Sequence, residues 1–254
     1  MLTLEIIPYD GTVKEYAIYY NPILDGVYVD LDNSVSLDDC QEVVGHVGLS
    51  PEFCFSDDIL SKLVIEFPLR NKITTLNSSD SFIIQDLILS QSIRGNVKTL
   101  TYPKLQETST LVTDLLVSIS QGFLVFFFDN YDPNLSVSII TSDDILIVEL
   151  NESVVIGINR SDKTLYFIYL VNYLEKLSYT DFSIVSTDLG KERFDSLKKI
   201  IEKSIDFSLG EANYIQLITR HQELFKDKIL NDRLNKAEER IIDSLKKKYI
   251  FHKS

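Results

Sequence analysis

Five short apolar runs between residues 123 and 171 constrain the fold of this chain more than any other feature. They cover residues 123–128, 135–140, 145–150, 154–158 and 165–171, and each is rich in Val, Ile, Phe or Tyr. Runs of this length and composition are typical of β-strands, and the short polar breaks between them favour antiparallel turns. The sequence therefore predicts an antiparallel meander over about 123–171 as the core sheet.

The N-terminal residues predict a further antiparallel unit. Apolar and polar residues alternate over residues 2–8, and Asp10-Gly11 is a strong signal for a hairpin turn into a second strand over 12–20. A third strand is expected at about 26–31.

Helices are predicted between these two groups of strands. Ser36 is a suitable N-cap for a helix over residues 37–47, where apolar residues recur at spacings of three and four. Two more helices are predicted over 81–94, with Asp80 as the cap, and over 111–120.

Residues 56–69 allow two interpretations. Asp57-Asp58 suits the first turn of a helix, where acidic side chains are favoured by the helix dipole, whereas residues 63–67 suit a strand before a proline.

The pattern changes to a charge-rich helical one from residue 188 onward. No Gly or Pro follows Gly210, so the end of the chain is either one helix of some forty residues or two helices that break near Asn231-Asp232. We therefore predict an α+β fold with an acidic α+β domain over 1–189. Residues 190–254 then form a helical hairpin or one long C-terminal helix, which could pack on the first domain.

The formal net charge of −13 is distributed unevenly. Residues 190–254 hold 15 of the 25 Lys and Arg but 11 of the 38 Asp and Glu, which leaves residues 1–189 with a net charge of −17. A body this acidic repels nucleic acid and anionic membranes, and it suits either solubility or a basic protein partner. No apolar run approaches the roughly 20 residues of a membrane helix, and no basic signal region follows Met1, so a cytoplasmic location is expected.

The motifs of common enzyme and cofactor sites are absent from the sequence. The nine glycines form neither GxGxxG nor GxxxxGK[ST], and neither GxSxG nor HExxH occurs. The histidines are far apart, and His221 is expected on a helix surface beside Arg220 and Gln222. No catalytic residue and no cofactor is predicted. Cys40 and Cys54 are expected to be buried, reduced thiols.

Six aspartates are the candidate site residues. Acidic or hydroxyl side chains occupy alternate positions from 30 to 38, a pattern similar to that of a calcium-binding loop. An EF-hand, however, requires Gly and Glu where this chain has Val35 and Gln41, so no metal is predicted. We assign the acidic clusters to partner binding instead: Asp30, Asp32, Asp38, Asp39, Asp57 and Asp58.

The expected function is that of a non-enzymatic, cytoplasmic protein that binds a basic protein through its acidic face. Immunity-type inhibitors and secretion or assembly adaptors share this physical profile. One alternative is a structural or assembly protein that forms homo-oligomers through residues 190–254. A third is an enzyme whose carboxylates converge only in the folded chain.

Overall fold

The computed structural model describes most of the chain. The described residues are 2–9, 11, 16–21, 26–32, 42–46, 49–68, 73–100, 112–128, 143–173, 177–179, 187–205 and 209–250. The strands are β1 (Leu4–Pro8), β2 (Ala17–Asn21), β3 (Gly26–Asp30), β4 (Glu42–His46), β5 (Leu49–Ser56), β6 (Ile59–Glu66), β7 (Ile73–Thr75), β8 (Ile93–Thr99), β9 (Val112–Ser118), β10 (Phe123–Phe128), β11 (Ile145–Asn151), β12 (Val154–Asn159), β13 (Leu165–Leu170) and β14 (Leu177–Tyr179). The helices are α1 (Ser78–Gln91), α2 (Asp188–Ile205), α3 (Glu211–Phe225) and α4 (Asp232–Ile250).

These strands form one curled, mixed sheet. Its main path runs β14-β2-β3-β6-β8-β11-β12-β13-β10-β9-β7, with β1 paired to β8 and with β4 and β5 extending from β6. Most pairs are antiparallel, but β14 with β2, β11 with β8, and β7 with β9 are parallel. The α+β class is therefore confirmed, whereas the sheet is mixed rather than purely antiparallel. Of the predicted 123–171 meander, β11, β12 and β13 pair consecutively, but β10 pairs with β9 and β13 instead, and residues 135–140 lie outside the described residues.

The sheet consists of two halves with the same strand pairing. In the first half β2 pairs with β3, β3 with β6, β6 with β5, and β5 with β4. In the second half β9, β10, β13, β12 and β11 pair in the same sequence. The last strands are exchanged, because β7 pairs with β9 of the second half and β14 pairs with β2 of the first. The chain is thus a structural duplication without a visible sequence repeat.

The two halves match in register as well as in order. The β5–β6 ladder shifts register after Cys54, and the β12–β13 ladder shifts after Gly157. Strand pairing gives three pairs of corresponding residues: Asp30 and Phe127, Lys62 and Phe167, and Cys54 and Gly157. A side chain on Gly157 would collide with Phe167, since an added Cβ would lie 2.2 Å from its ring. At the positions where the first half has Asp30 and Lys62, the second half has Phe127 and Phe167. We call these two sets the charged row and the aromatic row.

Buried side chains form two clusters on opposite faces of strand β10. Phe126 and Phe128 belong to the larger cluster, which also includes residues of α2, α3 and α4. Phe127 belongs to the smaller cluster, together with Ile84 and Ile88 of α1. The prediction that Phe126 and Phe128 share a buried face is confirmed.

Two predicted helices are strands in the structure. Residues 42–46 form β4, which pairs with β5, and residues 112–118 form β9, which pairs with β10 and β7. Residues 37–41, 47 and 111, which complete those predicted helices, lie outside the described residues. Both segments contain β-branched residues, and the ladders that stabilise them come from distant parts of the chain, so the local apolar spacing was misleading.

Strand partners at the N-terminus also differ from the prediction. β1 pairs with β8, and β2 pairs with β3 and β14, so these two strands do not form the expected hairpin. Residues 12–15 of the expected second strand lie outside the described residues. Asp57 and Asp58 form a two-residue turn between β5 and β6 instead of a helix start. Both have positive φ angles, of 50° and 66°, as a type I′ turn requires.

The helical predictions near α1 and at the C-terminus are largely confirmed. Helix α1 begins at Ser78 with Asn77 as its N-cap, rather than Asp80, and ends at Gln91. In the C-terminal segment α3 ends at Phe225 and α4 begins at Asp232, so the interpretation with a break is right. None of the described helices combines the length and the hydropathy that a membrane span would need.

Replacing Phe126 with Ala should lower the free energy of unfolding by about 3–5 kcal/mol, as truncations of buried aromatic residues do. Phe126 is fully buried, and its ring stacks on that of Phe67 with a centroid separation of 6.0 Å. Urea denaturation of the purified variant measures the loss. Phe82→Ala is the matched control, because that ring is 61% exposed. Equal losses for the two variants would contradict this description of the core.

Candidate functional site

The structure separates the six candidate aspartates into three groups. Asp30 and Asp32 are buried, with 9% and 8% of their surface exposed. Asp57 and Asp58 are exposed at the β5–β6 turn. Asp38 and Asp39 lie outside the described residues. Of the four candidate aspartates that the structure describes, Asp57 and Asp58 are the exposed ones.

Asp30 takes part in a buried ion pair. The Lys62 Nζ atom donates a hydrogen bond to Asp30 Oδ2 at 2.7 Å, across the β3–β6 ladder. The Asp32 backbone N–H also points to Asp30 Oδ1, at 3.3 Å. Burial and the nearby charge of Asp30 together raise the pKa of Tyr28 to about 12. These contacts assign Asp30 a role within the sheet.

Cys54 lies in the same row of the sheet, opposite Lys62. It is disulfide-bonded, so the prediction of reduced thiols is wrong for this residue. The only other cysteine of the chain is Cys40, which lies outside the described residues.

Helix α1 exposes several large apolar side chains on one side. Phe82, Ile83 and Leu89 are 61%, 44% and 43% exposed, and Asp86 is exposed among them. At 100° per residue these four side chains fall on the side of the helix opposite Ile84 and Ile88. We call the set Phe82, Ile83, Asp86 and Leu89 the α1 outer face.

The position of α1 follows from its cap and its buried side. Asn77 Oδ1 accepts a hydrogen bond from the Asp80 backbone N–H at 2.8 Å, and Asn77 Nδ2 donates to Asp80 Oδ2 at 2.8 Å. Ile84 and Ile88 are fully buried against the smaller cluster. The cap and the buried side thus fix α1 on the sheet, while its outer face carries three exposed apolar side chains.

Apolar side chains on both sides of a helix are usual when both sides are buried. The sequence carries this signal over residues 82–89, where Phe, Ile and Leu occupy positions all around the helix. The sequence prediction placed a helix here but did not consider its second apolar side. The charges nearby have one sign, since residues 73–92 contain Asp80 and Asp86 and neither Lys nor Arg.

One cavity lies where the two halves of the sheet meet. It has a volume of about 190 Å³ and is lined by residues that include Tyr9, Tyr16, Arg94 and Glu152. Tyr16 donates a hydrogen bond to Glu152 Oε1 at 2.6 Å, and the Arg94 guanidinium lies 4.9 Å from the centre of the Tyr9 ring. Tyr16 and Glu152 thus bind each other, and Arg94 also lies 3.6 Å from the carboxylate of Glu149.

A polar cluster is buried among the three C-terminal helices. His221 Nδ1 lies 2.8 Å from Ser196 Oγ, and His221 Nε2 lies 3.2 Å from Glu238 Oε1. Arg193 donates two hydrogen bonds to the Glu238 carboxylate, at 2.7 and 3.1 Å. The expectation of a surface position for His221 is wrong, because this side chain is 1% exposed.

The Ser196–His221–Glu238 arrangement has the residue types of a hydrolytic triad but not its setting. Neither the cavity lined by Tyr9 and Tyr16 nor a second cavity beside strand β1 is lined by any of these side chains. Arg193 binds both oxygens of Glu238, which ties α2 to α4. Burial would raise the pKa of Glu238, but its hydrogen bonds with His221 and Arg193 and their charges outweigh burial and lower it. The cluster therefore joins the helices.

Replacing Glu238 with Gln should lower the free energy of unfolding at neutral pH by about 3–5 kcal/mol, because Arg193 loses its buried counter-ion. The lowered pKa of Glu238 implies stability that is present above its ordinary value of 4.5 and is lost as the pH falls through the folded-state pKa. Urea midpoints measured from neutral to acidic pH should therefore fall less steeply in Glu238→Gln than in the wild type. The exposed neighbour Glu239→Gln is the control, and an equal change in both variants would refute the role of Glu238.

Replacing Lys62 with Met should lower the free energy of unfolding by about 3–5 kcal/mol, since it leaves the buried Asp30 carboxylate without its partner. The double variant Asp30→Leu with Lys62→Met should recover most of that loss, because the corresponding row of the second half is apolar. Denaturation of the two variants measures the difference. A double variant no more stable than Lys62→Met would show that the ion pair itself is required.

Comparison with known proteins does not add a functional assignment. The described residues contain no group of three or more His, Cys, Asp or Glu side chains placed to hold a metal ion. No protein-family model matches the chain, and no curated protein sequence matches it either.

Proposed function

We propose that this chain is a non-enzymatic binding protein whose α1 outer face holds a basic protein partner. The observation that carries the proposal is the exposure of Phe82, Ile83 and Leu89 on one side of a helix whose other side is buried against the sheet. Single exposed apolar residues are ordinary on a protein surface, whereas a contiguous apolar patch is typical of an interaction site.

The energetics of this face suit a partner helix or a groove. Fully burying a side chain of this size contributes about 1.5–3 kcal/mol. Three such anchors on a helix that is already ordered can supply the centre of a protein interface, because little conformational entropy remains to be lost. Amphipathic helices bind grooves in this way, through anchors spaced along one face.

The charge around the face favours a basic partner. Asp80 and Asp86 accompany α1, no Lys or Arg lies in residues 73–92, and residues 1–189 carry a net charge of −17. Complementary charge of this kind raises association rates and rejects acidic competitors. The exposed Asp57-Asp58 turn adds to the same acidic field. An immunity-type inhibitor and a secretion or assembly adaptor both fit this description.

A second candidate function is assembly through the C-terminal helices. Leu224 near the end of α3 is 54% exposed, and Ile229 in the connection to α4 is 78% exposed. Apolar exposure there would be explained by contact with a second copy of the chain. Variants at these two residues therefore serve as the matched control for α1.

The double variant Phe82→Ser with Leu89→Ser should lose a basic partner that the wild type retains. Affinity capture from the native cells, followed by mass spectrometry, identifies proteins held by the wild type, and biolayer interferometry with the purified partner measures the rates. The proposal predicts a partner with a basic isoelectric point and at least about a hundredfold loss of affinity in the variant, since two anchors are removed.

The variant Leu224→Ser with Ile229→Ser is the control for this experiment and should bind the partner normally. If it instead loses a self-association that wild-type protein shows in analytical ultracentrifugation, the assembly function is favoured. The association rate should also fall as salt rises from low to physiological concentration. A partner that binds the α1 variant unchanged, or whose association ignores salt, would refute the proposal.

A further inference from the structure

A second cavity lies between strand β1 and the β12–β13 turn. Its volume is about 280 Å³. It is lined by Leu4, Glu5, Ile6, Leu100, Leu146, Ile158, Asn159, Arg160 and Lys163. The walls are thus mainly aliphatic, while the polar residues are two cations, one amide and one carboxylate. Such a combination of apolar walls with a few polar groups is typical of small-molecule sites.

The two cations in this cavity differ from the other described cations of the acidic body. Lys62, Arg94 and Lys98 each lie within 4.0 Å of a carboxylate, at 2.7, 3.6 and 2.9 Å. Neither Arg160 nor Lys163 has a carboxylate partner among the residues that the structure describes. In a body with a net charge of −17, two uncompensated cations that line one cavity point to an anionic ligand.

The backbone of Lys163 supports the same interpretation. Its φ angle is 62°, in the left-handed region that costs a residue with a side chain roughly 1–2 kcal/mol and favours glycine. The position is held by hydrogen bonds from Lys163 N to Asn159 O at 2.9 Å and from Leu4 N to Lys163 O at 2.8 Å. A lysine at a turn position that favours glycine indicates a function for its ammonium group, such as binding the anionic ligand.

The remaining polar groups define where an anion would bind. Glu5 Oε2 accepts from Lys98 Nζ at 2.9 Å, so its charge is compensated outside the cation pair. Asn159 Oδ1 accepts hydrogen bonds from the Ser161 backbone N–H and hydroxyl, which leaves the amide NH₂ as the donor end of Asn159. Arg160, Lys163 and Asn159 together offer donors to one anionic head group.

We propose that this cavity binds a small amphipathic carboxylate, with the head group on Arg160 and Lys163 and the hydrocarbon chain along Leu4, Leu146 and Ile158. The volume sets the size of the ligand. An apolar cavity of about 150 Å³ holds benzene, so a cavity of this size holds roughly eleven non-hydrogen atoms. A medium-chain acid such as octanoate satisfies both requirements. This site is separate from the α1 outer face, and neither proposal depends on the other.

Calorimetric titration of the full chain with octanoate tests the proposal, with acetate and 1-octanol as probes of the head and of the chain alone. One equivalent of octanoate should bind, and both fragments should bind at least about tenfold more weakly, because each lacks one part of the interaction. Heteronuclear NMR should place the octanoate-induced shifts on residues 158–163.

Lys163→Gly and Arg160→Gln are the test variants. Each should weaken octanoate binding at least about tenfold, the usual effect of losing one charge-assisted hydrogen bond. Lys163→Gly also relieves the left-handed strain, so its melting temperature should equal or exceed that of the wild type. Arg94→Gln removes one positive charge at a residue that lines the other cavity and pairs with Glu149, and it should bind octanoate normally.

Three results would overturn the proposal. The first is no octanoate binding at millimolar concentration. The second is binding that both Lys163→Gly and Arg160→Gln leave unchanged, which would place the ligand elsewhere. The third is acetate binding as tightly as octanoate, which would mean an adventitious ion only. Should Lys163→Gly fail to fold, Arg160→Gln decides the outcome, because the Arg160 side chain is exposed.

Discussion

Burial of strand β10 on both faces is the constraint on which the rest of the structure depends. Successive side chains of a strand point to opposite faces, so Phe126 enters the larger cluster and Phe127 the smaller one. Each face then needs its own cover. The C-terminal helices contribute to the larger cluster, and α1 covers the other face through Ile84 and Ile88. Because α1 commits one side to the sheet, its remaining apolar residues face outward, which is the origin of the proposed binding surface.

The two halves of the duplicated sheet have the same strand order but carry different side chains at corresponding positions. Both halves use the same ladder order and exchange their last strands, so each half completes the sheet of the other. The halves differ in chemistry at corresponding positions: the second half has Phe127 and Phe167 where the first has Asp30 and Lys62. The aromatic row takes part in the cluster that receives α1, whereas the charged row neutralises itself within the sheet.

Charge follows a consistent rule in this molecule. Buried charges are paired, as in Asp30 with Lys62 and in Arg193 with Glu238, because an unpaired charge away from water is costly. Asp57, Asp58 and Asp86 carry acidic charge at the surface, as the proposed basic partner requires. Arg160 and Lys163 are exposed cations that line one cavity without a described carboxylate partner, and this motivates the proposed carboxylate site.

The sequence by itself determined the strands at 123–128, 145–151, 154–159 and 165–170, the helix α1, and the division of charge, because these depend on local composition and periodicity. Only the tertiary structure decided which strands pair. Residues 42–46 and 112–118 have apolar spacings that also suit a helix, and partners distant in sequence make them strands. The burial of His221 and Asp30 and the duplication itself were decided in the same way. Each of these features depends on contacts between residues far apart in the chain. A local sequence pattern does not show which distant residues it will contact.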